Sequence, residues 1–253
     1  MKLHNKVIWL TGASSGIGYA LCEALLKKGN RVFASARNCT ALNELQQLYP
    51  NLHVIPCDIS DKNSLQKAAQ QIHTFTNYLD VVIANAGTCE YLDVKNFDSE
   101  LIRRVMDTNF MGSVYTIETA LPFLYQAFKP YIVAVSSSVA YLPMPRAEAY
   151  GASKAALSHF MESLYSELKH LGFRMSIVSP GFVQTTLTDK NDFAMPLRIG
   201  APEAAQHIIR GLEKERWDIH FPKTFTFFLK LIGLLPAAVR LAFTGRMSAL
   251  HGE

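Results

Sequence analysis

Short apolar runs alternate along this chain with longer amphipathic stretches, and this alternation restricts the possible folds more than any other feature. The apolar runs are KVIWLTG, RVFASA, LHVIPC, VVIANAG, YIVAVSSS and RMSIVSPG, and the helical patterns that follow them cover residues 16–28, 41–49, 62–75, 99–121, 147–170 and 202–214. Strands that are apolar on both faces and separated by helices are typical of a parallel sheet covered on both sides. The sequence therefore predicts an α/β fold with a doubly wound parallel sheet of about seven strands and helices on both faces.

Length and composition indicate one domain. The chain has 253 residues and contains no repeat, low-complexity tract or Pro/Gly/Ser-rich linker, so we expect a single Rossmann-type domain over residues 1–253. The net charge of +4 is small and scattered, which argues against a nucleic-acid partner. The four cysteines form no CxxC motif and the eight histidines show no zinc-binding spacing, so no metal site is predicted. The N-terminal residues resemble neither a signal peptide nor a membrane anchor, and we expect a cytoplasmic protein with reduced thiols.

A glycine-rich turn, TGASSGIG, directly follows the first apolar run and precedes the first helical pattern. Glycine lets the backbone approach a pyrophosphate closely, and the free N–H groups at a helix N-terminus favour its negative charge. A tight strand-to-helix turn without a ligand is the alternative, and the order of the surrounding elements favours a dinucleotide site. The candidate cofactor-binding residues of this turn are Gly12, Ser14, Ser15, Gly16, Ile17 and Gly18.

The end of the second strand bears on the choice of dinucleotide. NAD-binding proteins usually carry an acid here for the ribose 2′-hydroxyl, but the chain has no acid between Arg31 and Asn43. Arg37 occupies the region where a 2′-phosphate would lie, and its guanidinium suits that dianion. The prediction is NADP (NADPH) in preference to NAD. An exposed loop arginine is the alternative, because Ser15 rather than a second basic residue precedes Gly16.

Two further cofactor-binding segments follow the third and fourth strands. Asp58 comes at the end of the third strand, where its carboxylate could accept a hydrogen bond from the adenine amino group; it could also cap the next helix, although Ser60 or Asp61 is the more natural cap. The fourth strand leads into ANAG, whose small residues allow the backbone to run close to a cofactor. The candidates here are Asn85, Ala86 and Gly87.

Six motifs, TGASSGIG, ANAG, DTNFMG, VSSS, YGASK and SPGFVQT, occur in this order across residues 7–190, and together they resemble the short-chain dehydrogenase/reductase family. The resemblance implies an NADP(H)-dependent oxidoreductase that transfers a hydride between the nicotinamide and a carbonyl or secondary alcohol. It also implies catalytic roles for Asn109, Ser137, Tyr150 and Lys154. In that family the tyrosine is the general acid/base, the serine donates to the substrate oxygen, and the asparagine holds a water in a proton relay that reaches the lysine.

The pair Tyr150 and Lys154 makes chemical sense on a helix, because residues four apart share a face. A phenol has a pKa near 10, and we expect the positive charge of Lys154 to lower it. The resemblance also assigns both side chains to the cofactor site, with Lys154 binding the nicotinamide ribose hydroxyls. A surface pair without a role is the usual interpretation of this spacing when no companion motif is present.

Two details of the motifs need a choice. VSSS allows a one-residue shift, and we assign the catalytic serine to Ser137, with Ser136 as an end-of-strand partner. SPGFVQT follows the sixth strand, and the resemblance implies that it closes over the nicotinamide carboxamide. Its candidate residues are Pro180, Gly181, Val183 and Thr185.

The sequence gives fewer indications about the segments that would bind the substrate than about the cofactor site. Residues 186–200 lack periodicity over the expected site and are interpreted as a substrate lid. Its residues Phe193, Met195 and Leu197 are a candidate apolar wall, although packing onto the sheet is the simpler interpretation. Residues 221–246 form an apolar and basic extension with two short helices beginning near Pro222 and Pro236 and ending at Gly245.

No acid occurs from Ile219 to Gly252. The extension either packs against the core, the lid or another subunit, or lies on a membrane surface as a peripheral contact. Both interpretations favour a lipophilic substrate.

The family resemblance further implies a homo-oligomer, a dimer or tetramer, through the helices that contain residues 99–121 and 150–170. A catalytically silent NADP-binding regulatory protein is the competing function, and it predicts the loss of at least one catalytic position, whereas all four are present. The motifs do not identify the substrate or the direction of the reaction, because specificity depends on segments that carry no motif.

Overall fold

In a computed structural model, which describes residues 2–189 and 195–249 and side chains up to Gly245, helices and strands alternate along the chain. The strands are β1 (Val7–Thr11), β2 (Arg31–Ala36), β3 (Leu52–Pro56), β4 (Val81–Ala84), β5 (Tyr131–Val135), β6 (Arg174–Pro180), β7 (Val183–Gln184), β8 (Ile199–Gly200) and β9 (Asp218–Phe221). The α-helices are α1 (Gly16–Lys27), α2 (Thr40–Leu48), α3 (Lys62–His73), α4 (Ser99–Met106), α5 (Gly112–Leu124), α6 (Glu148–Leu168), α7 (Ala201–Glu213), α8 (Lys223–Gly233) and α9 (Ala237–Ala249).

The described strands form a seven-stranded parallel sheet in the order β3-β2-β1-β4-β5-β6-β9, and β7 pairs with β8 beside it. Ile8 in β1 is paired with Val32 on one side and with Val81 on the other. The chain thus winds outward in both directions from β1 and β4, and the strand order reverses between them. The predicted doubly wound parallel sheet is confirmed, and a crevice opens where the order reverses, at the carboxyl ends of β1 and β4.

Helices cover both faces of the sheet. Buried side chains of α1, α2 and α7 pack on one face and those of α3, α5 and α6 on the other. β1, β4 and β5 are buried along their whole length, as expected for strands between two helical layers. Even the indole N–H of Trp9 is satisfied inside the core, because Nε1 donates to Ser35 Oγ at 2.9 Å.

The helix predicted over 99–121 is interrupted. Residues Asp107–Met111 form a π-helical turn between α4 and α5, and the completely buried Asn109 lies at its centre. Such turns are frequent at functional sites, because the wider spiral reorients a side chain without ending the helix. α5 then continues to Leu124, beyond the predicted end.

Two other predictions about elements differ from the structure. β9 was not predicted, because DIHF is a four-residue edge strand that lacks a continuous apolar run. Gly245 does not end a helix: α9 continues through it to Ala249, and its φ does not lie in the left-handed range that a helix-terminating glycine adopts. α8 and α9 begin directly after Pro222 and Pro236. Within the described residues, none of the helices has the length and apolar character needed to cross a bilayer.

Candidate active site

A cavity of about 360 Å³ lies at the carboxyl ends of the central strands, where the loops after β1, β4, β5 and β6 converge. The sequence-predicted residues that line it are Gly12, Ser14, Ser15, Gly16, Ile17, Gly18, Arg37, Asp58, Asn85, Ala86, Gly87, Ser137, Tyr150, Lys154, Pro180, Gly181, Val183 and Thr185. Asn109 is the one predicted residue that does not line it. Residues from six separate motifs therefore share one cavity.

The backbone conformation of the glycine-rich turn leaves no room for side chains at Gly12 and Gly18. Gly12 has a φ of +66°, and a Cβ built there would lie 2.5 Å from the Cα of Ala86, so the loops after β1 and β4 touch. A Cβ at Gly18 would collide with the carbonyl oxygen of Gly12. Ser15 precedes α1 without capping it through its side chain. The amides of the first helical turn are thus positioned for an external anion such as a phosphate.

Asn85 holds the two touching loops together. Its Nδ2 donates to the carbonyl oxygens of Thr11 at 2.9 Å and Gly12 at 3.1 Å, and its backbone N–H donates to Thr11 Oγ1 at 3.2 Å. The asparagine of the ANAG motif therefore fixes the glycine turn through hydrogen bonds of its own.

Arg37 and Asp58 stand at the far end of the cavity, on the loops after β2 and β3. Arg37 is exposed. Burial opposes ionisation of Asp58, but hydrogen bonds from the Ser60 hydroxyl and N–H and the nearby charge of Arg37 outweigh it and hold the pKa of Asp58 below its usual value. Asp61, and not Asp58, caps α3 by accepting from the N–H of Asn63 at 2.9 Å.

Tyr150 lies in the first turn of α6 and is half-buried against the cavity. Burial raises its pKa to about 12, while a hydrogen bond with the Ser137 side chain acts in the opposite direction and the Cys89 thiol raises the pKa further. Ser137 is half-buried directly after β5. The two side chains thus influence each other and line the same cavity as the glycine turn.

Lys154 is only 3% exposed, and its Nζ donates to the carbonyl oxygen of Val135 at 2.8 Å. Burial lowers its pKa to about 8, and the Cys89 thiol counteracts this in part. Nζ lies 5.8 Å from the centroid of the Tyr150 ring. Burial therefore sets the direction of both pKa shifts and disfavours the charged form of each group, and the expectation that Lys154 lowers the pKa of Tyr150 stays a prediction.

Asn109 stands behind the cavity wall and not in it. Its Oδ1 accepts from the N–H of Thr88 at 2.7 Å, and its Nδ2 donates to the Thr88 carbonyl and to Ser153 Oγ, both at 2.9 Å. A Cβ at Gly87 would lie 3.2 Å from Asn109 Oδ1 and 3.3 Å from Lys154 Nζ. A Cβ at this position would crowd both groups, so glycine lets the asparagine and the lysine lie close to each other.

The one-residue ambiguity in VSSS has a structural answer. Ser136 is buried, its Oγ donates to the Lys154 carbonyl at 3.0 Å, and it pairs with Ser158 Oγ at 2.9 Å. Ser138 is buried as well. Ser137 is the least buried of the three and is the one paired with Tyr150. These contacts support Ser137 as the serine available to a substrate.

The segment after β6 covers the glycine turn. A Cβ at Gly16 would lie 2.9 Å from Thr185 Cγ2. Arg198 pairs with Asp189 and donates to Thr188 Oγ1 at 3.2 Å, which ties the two ends of the proposed 186–200 lid together. Of its predicted apolar wall, Phe193 lies outside the described residues and Leu197 is 57% exposed, so Leu197 forms no buried wall.

Sequence reasoning missed several side chains around the site. Ser153 joins Asn109 to α6, and its only signal was its place inside YGASK. Cys89 acts on both Tyr150 and Lys154, and nothing in the sequence pattern marked it. Further residues that line the cavity without having been predicted are Ala36, Asn38, Cys57, Ile59, Thr108, Val135, Ser136, Thr186, Leu187 and Thr188.

The C-terminal helix α8 packs beside this site. The ring of Phe225 lies 5.4 Å from that of Phe182, and a Cβ at Gly181 would lie 2.9 Å from Phe225 Cδ1. Leu229 and Ile232 bury themselves against the 141–144 loop that follows the Ser137 turn. An apolar cluster therefore lies next to Gly181, which lines the cavity.

Comparisons with known proteins agree with this geometry. A family model described as short chain dehydrogenase matches residues 6–195. A Myxococcus xanthus protein described as an uncharacterized oxidoreductase is 31% identical over 239 residues, which cover 93% of this chain and 94% of that protein. A short-chain dehydrogenase from Burkholderia cenocepacia, solved in complex with NADP, superposes with a TM-score of 0.84 at 26% identity over 96% of this chain and 99% of that one. A short-chain dehydrogenase/reductase from Burkholderia phymatum, solved with NAD, shares the fold with a TM-score of 0.83 at 20% identity over 91% of this chain and 94% of that one.

Proposed function

Because the chain belongs to the short-chain dehydrogenase family, we propose that it is an oxidoreductase that transfers a hydride between NADP(H) and a carbonyl or secondary alcohol substrate. One observation carries the proposal: Ser137 and Tyr150 line the same cavity as the glycine turn. A reacting carbonyl in that cavity would meet a proton donor and an oxygen-orienting donor together.

The cavity suits a dinucleotide. The positions of Gly12 and Gly18 exclude any side chain, and the uncapped start of α1 offers backbone amides to a pyrophosphate. When bound, the nicotinamide supplies the hydride for carbonyl reduction or accepts it in alcohol oxidation. Tyr150 and Lys154 would hold the nicotinamide ribose hydroxyls, since both line the same cavity, and Thr185 lies against Gly16 of the glycine turn.

We infer that Tyr150 is the general acid/base. Its pKa of about 12 keeps the phenol protonated at neutral pH, so in reduction it delivers its proton to the carbonyl oxygen as negative charge develops there. Ser137 donates a hydrogen bond to that same oxygen and orients it. In the oxidation direction the alcohol proton returns to Tyr150.

Lys154 then stabilises the phenolate left on Tyr150. With a pKa lowered to about 8 it loses and regains its proton readily near neutral pH, which suits a group that resupplies protons. Asn109 acts through its neighbours: it fixes Thr88 and Ser153, and with Gly87 it keeps the Lys154 ammonium in place. It is a positioning residue in this proposal.

The preference for NADP rests on Arg37. The two structural relatives hold different dinucleotides, so the comparisons leave the choice open. Arg37 is exposed at the adenosine end of the cavity, and the loop after β2 contains no acid that would bind a free 2′-hydroxyl. A guanidinium there favours the 2′-phosphate of NADP.

We propose a lipophilic carbonyl substrate, because the apolar cluster of Phe225, Phe182 and the 141–144 loop lies next to Gly181 in the cavity lining. We also propose a cytoplasmic homo-oligomer that contacts a membrane peripherally through its C-terminal helices, with residues 186–200 as the lid.

The testing experiment is NADPH consumption against carbonyl compounds graded by chain length and polarity. The proposal expects turnover that increases with apolar length, and the abolition of that turnover in Tyr150→Phe. Absence of turnover with every compound, despite NADPH binding, would favour a regulatory NADP-binding protein instead.

A further inference from the structure

We propose that the outer face of the α8–α9 hairpin binds the surface of an anionic lipid bilayer. This face consists of the exposed side chains Phe227, Phe228, Leu231, Leu234, Leu235, Val239 and Phe243. It lies in the plane of the lipid headgroups in this proposal and does not span the membrane.

α8 is apolar on two opposite sides, which is unusual for a helix on a protein surface. One side buries Phe225, Leu229 and Ile232 against the 141–144 loop. The other side carries the outer-face residues Phe227, Phe228 and Leu231, which are 61%, 55% and 50% exposed. Packing within the chain thus explains the inner side only, and the outer side needs another apolar environment.

Exposed apolar groups are concentrated in this hairpin. Eight of the seventeen large hydrophobic side chains that are exposed in the described part of the chain lie between Phe227 and Phe243, and the other nine are scattered from Leu48 to Leu197. Leu234, at the tip between the two helices, is 84% exposed. The spacing of Phe227, Phe228 and Leu231 puts them on one side of α8, and such a cluster marks an interaction surface, whereas single exposed side chains do not.

The basic side chains around the outer face favour an anionic partner. The chain has no acidic residue from Ile219 to Gly252, and in the same stretch Lys223 is exposed and Arg240 is half-buried. Lys230 is neutralised by Asp218, which also accepts from the Tyr141 hydroxyl and so anchors α8 to β9. Basic groups beside an apolar face match anionic headgroups above acyl chains.

A second copy of the chain fits this face less well. A two-fold contact would press the same patch against itself and bring its basic groups together without an acid of the same segment to neutralise them. An anionic bilayer supplies both the apolar layer and the opposite charge. We therefore commit to lipid as the occupant.

A membrane-bound outer face would also bring the candidate active site close to the bilayer. An open groove beside α9 is lined by residues 91–94, by the 143–146 loop and by Leu241, Thr244 and Gly245. Glu148, which lies in the same helical turn as Tyr150, is also among its lining residues. A lipophilic substrate leaving the bilayer would enter next to the site; this consequence rests on the proposed function, whereas the lipid surface itself does not.

The test is sedimentation of the full chain with phosphatidylcholine vesicles, with and without phosphatidylglycerol. We expect binding that increases with phosphatidylglycerol content. Leu234→Glu should reduce the partition coefficient about ten-fold or more, since it replaces an inserted apolar group by a charge. Lys223→Gln should weaken binding to anionic vesicles only, and added salt should mimic its effect.

Phe128→Glu is the matched control, because Phe128 is 92% exposed and lies outside the hairpin. It adds the same charge and should leave vesicle binding unchanged. The proposal is overturned if the wild-type chain stays in the supernatant with anionic vesicles, or if Leu234→Glu and Phe128→Glu reduce binding equally. A dimer that dissociates only in Leu234→Glu, without vesicle binding, would assign the face to a second copy. None of these outcomes depends on enzymatic activity.

Discussion

Replacing Lys154 by methionine removes a buried cation while keeping most of its apolar stem. Lys154 is 3% exposed, and its described hydrogen bond is to the Val135 carbonyl. Burial lowers its pKa from 10.5 to about 8, so the folded protein holds this charge at a cost. Each pKa unit corresponds to about 1.4 kcal/mol, and the shift therefore amounts to about 3 kcal/mol of destabilisation when the group is charged in both states.

The sign of the pH dependence follows from the two pKa values. Below pH 8 the lysine is protonated in the folded and the unfolded chain, and burial of its charge destabilises the folded protein by the full amount. Between pH 8 and 10.5 the folded protein releases the proton while the unfolded chain keeps it, so stability increases with pH. Lys154→Met has no such titration. At pH 7 we expect the variant to be more stable by about 2 kcal/mol, after about 1 kcal/mol is lost at the Val135 carbonyl.

The assay is urea unfolding of both proteins at pH 7 and pH 10, followed by tryptophan fluorescence at constant ionic strength. The advantage of the variant should shrink by about 2 to 3 kcal/mol between the two pH values. A stability difference that is the same at both pH values would refute the reasoning, because it would mean that the Lys154 charge is not desolvated in the folded protein.

Two further predictions concern the cofactor end and the helix interior. Arg37→Ala should weaken NADPH binding by about ten- to a hundred-fold and leave NADH binding nearly unchanged in calorimetric titrations, because it removes the donor to a phosphate; equal effects on both would remove the reason for preferring NADP. Asn109→Ala should lower the free energy of unfolding by about 2 to 4 kcal/mol, since it strands the buried polar groups of Thr88 and Ser153. Asn96→Ala, in an exposed loop, is its control, and equal losses in the two variants would argue against the buried network.

The layered architecture could be predicted from the sequence because the apolar run of a buried strand occurs several times along the chain. Val7–Thr11 and Tyr131–Val135 are buried on both faces, so their sequences are apolar at consecutive positions. β9, in contrast, could not be predicted from the sequence. It pairs with β6 alone, alternates buried and half-buried residues, and is four residues long, so its sequence lacks the continuous apolar run that marks the central strands.

The candidate site was predictable where backbone geometry dictates the residue. Gly12, Gly18 and Gly87 each stand where a Cβ would meet another atom closely, and such positions leave a mark in the sequence. The protonation of Tyr150 and Lys154 was not predictable in this way. Spacing indicates that the two share a helix face, but whether charge or burial sets their pKa values depends on how deeply α6 packs.

The substrate side could not be predicted in the same detail. Phe225 reaches the site from a helix more than seventy residues after Tyr150 in sequence, and no local pattern connects the two. Its contact with Phe182 depends on where β9 ends and α8 begins. Specificity therefore resides in long-range packing, whereas the chemistry resides in short motifs.

The most direct test of the account is a single turnover with NADPH deuterated at the transferring position and a lipophilic ketone, comparing the wild-type enzyme with Tyr150→Phe. We predict deuterium on the carbinol carbon of the wild-type product, and in the variant unchanged NADPH affinity with a rate reduced by several orders of magnitude. A variant that transfers deuterium at close to the wild-type rate would contradict the central claim that the Tyr150 hydroxyl supplies the proton.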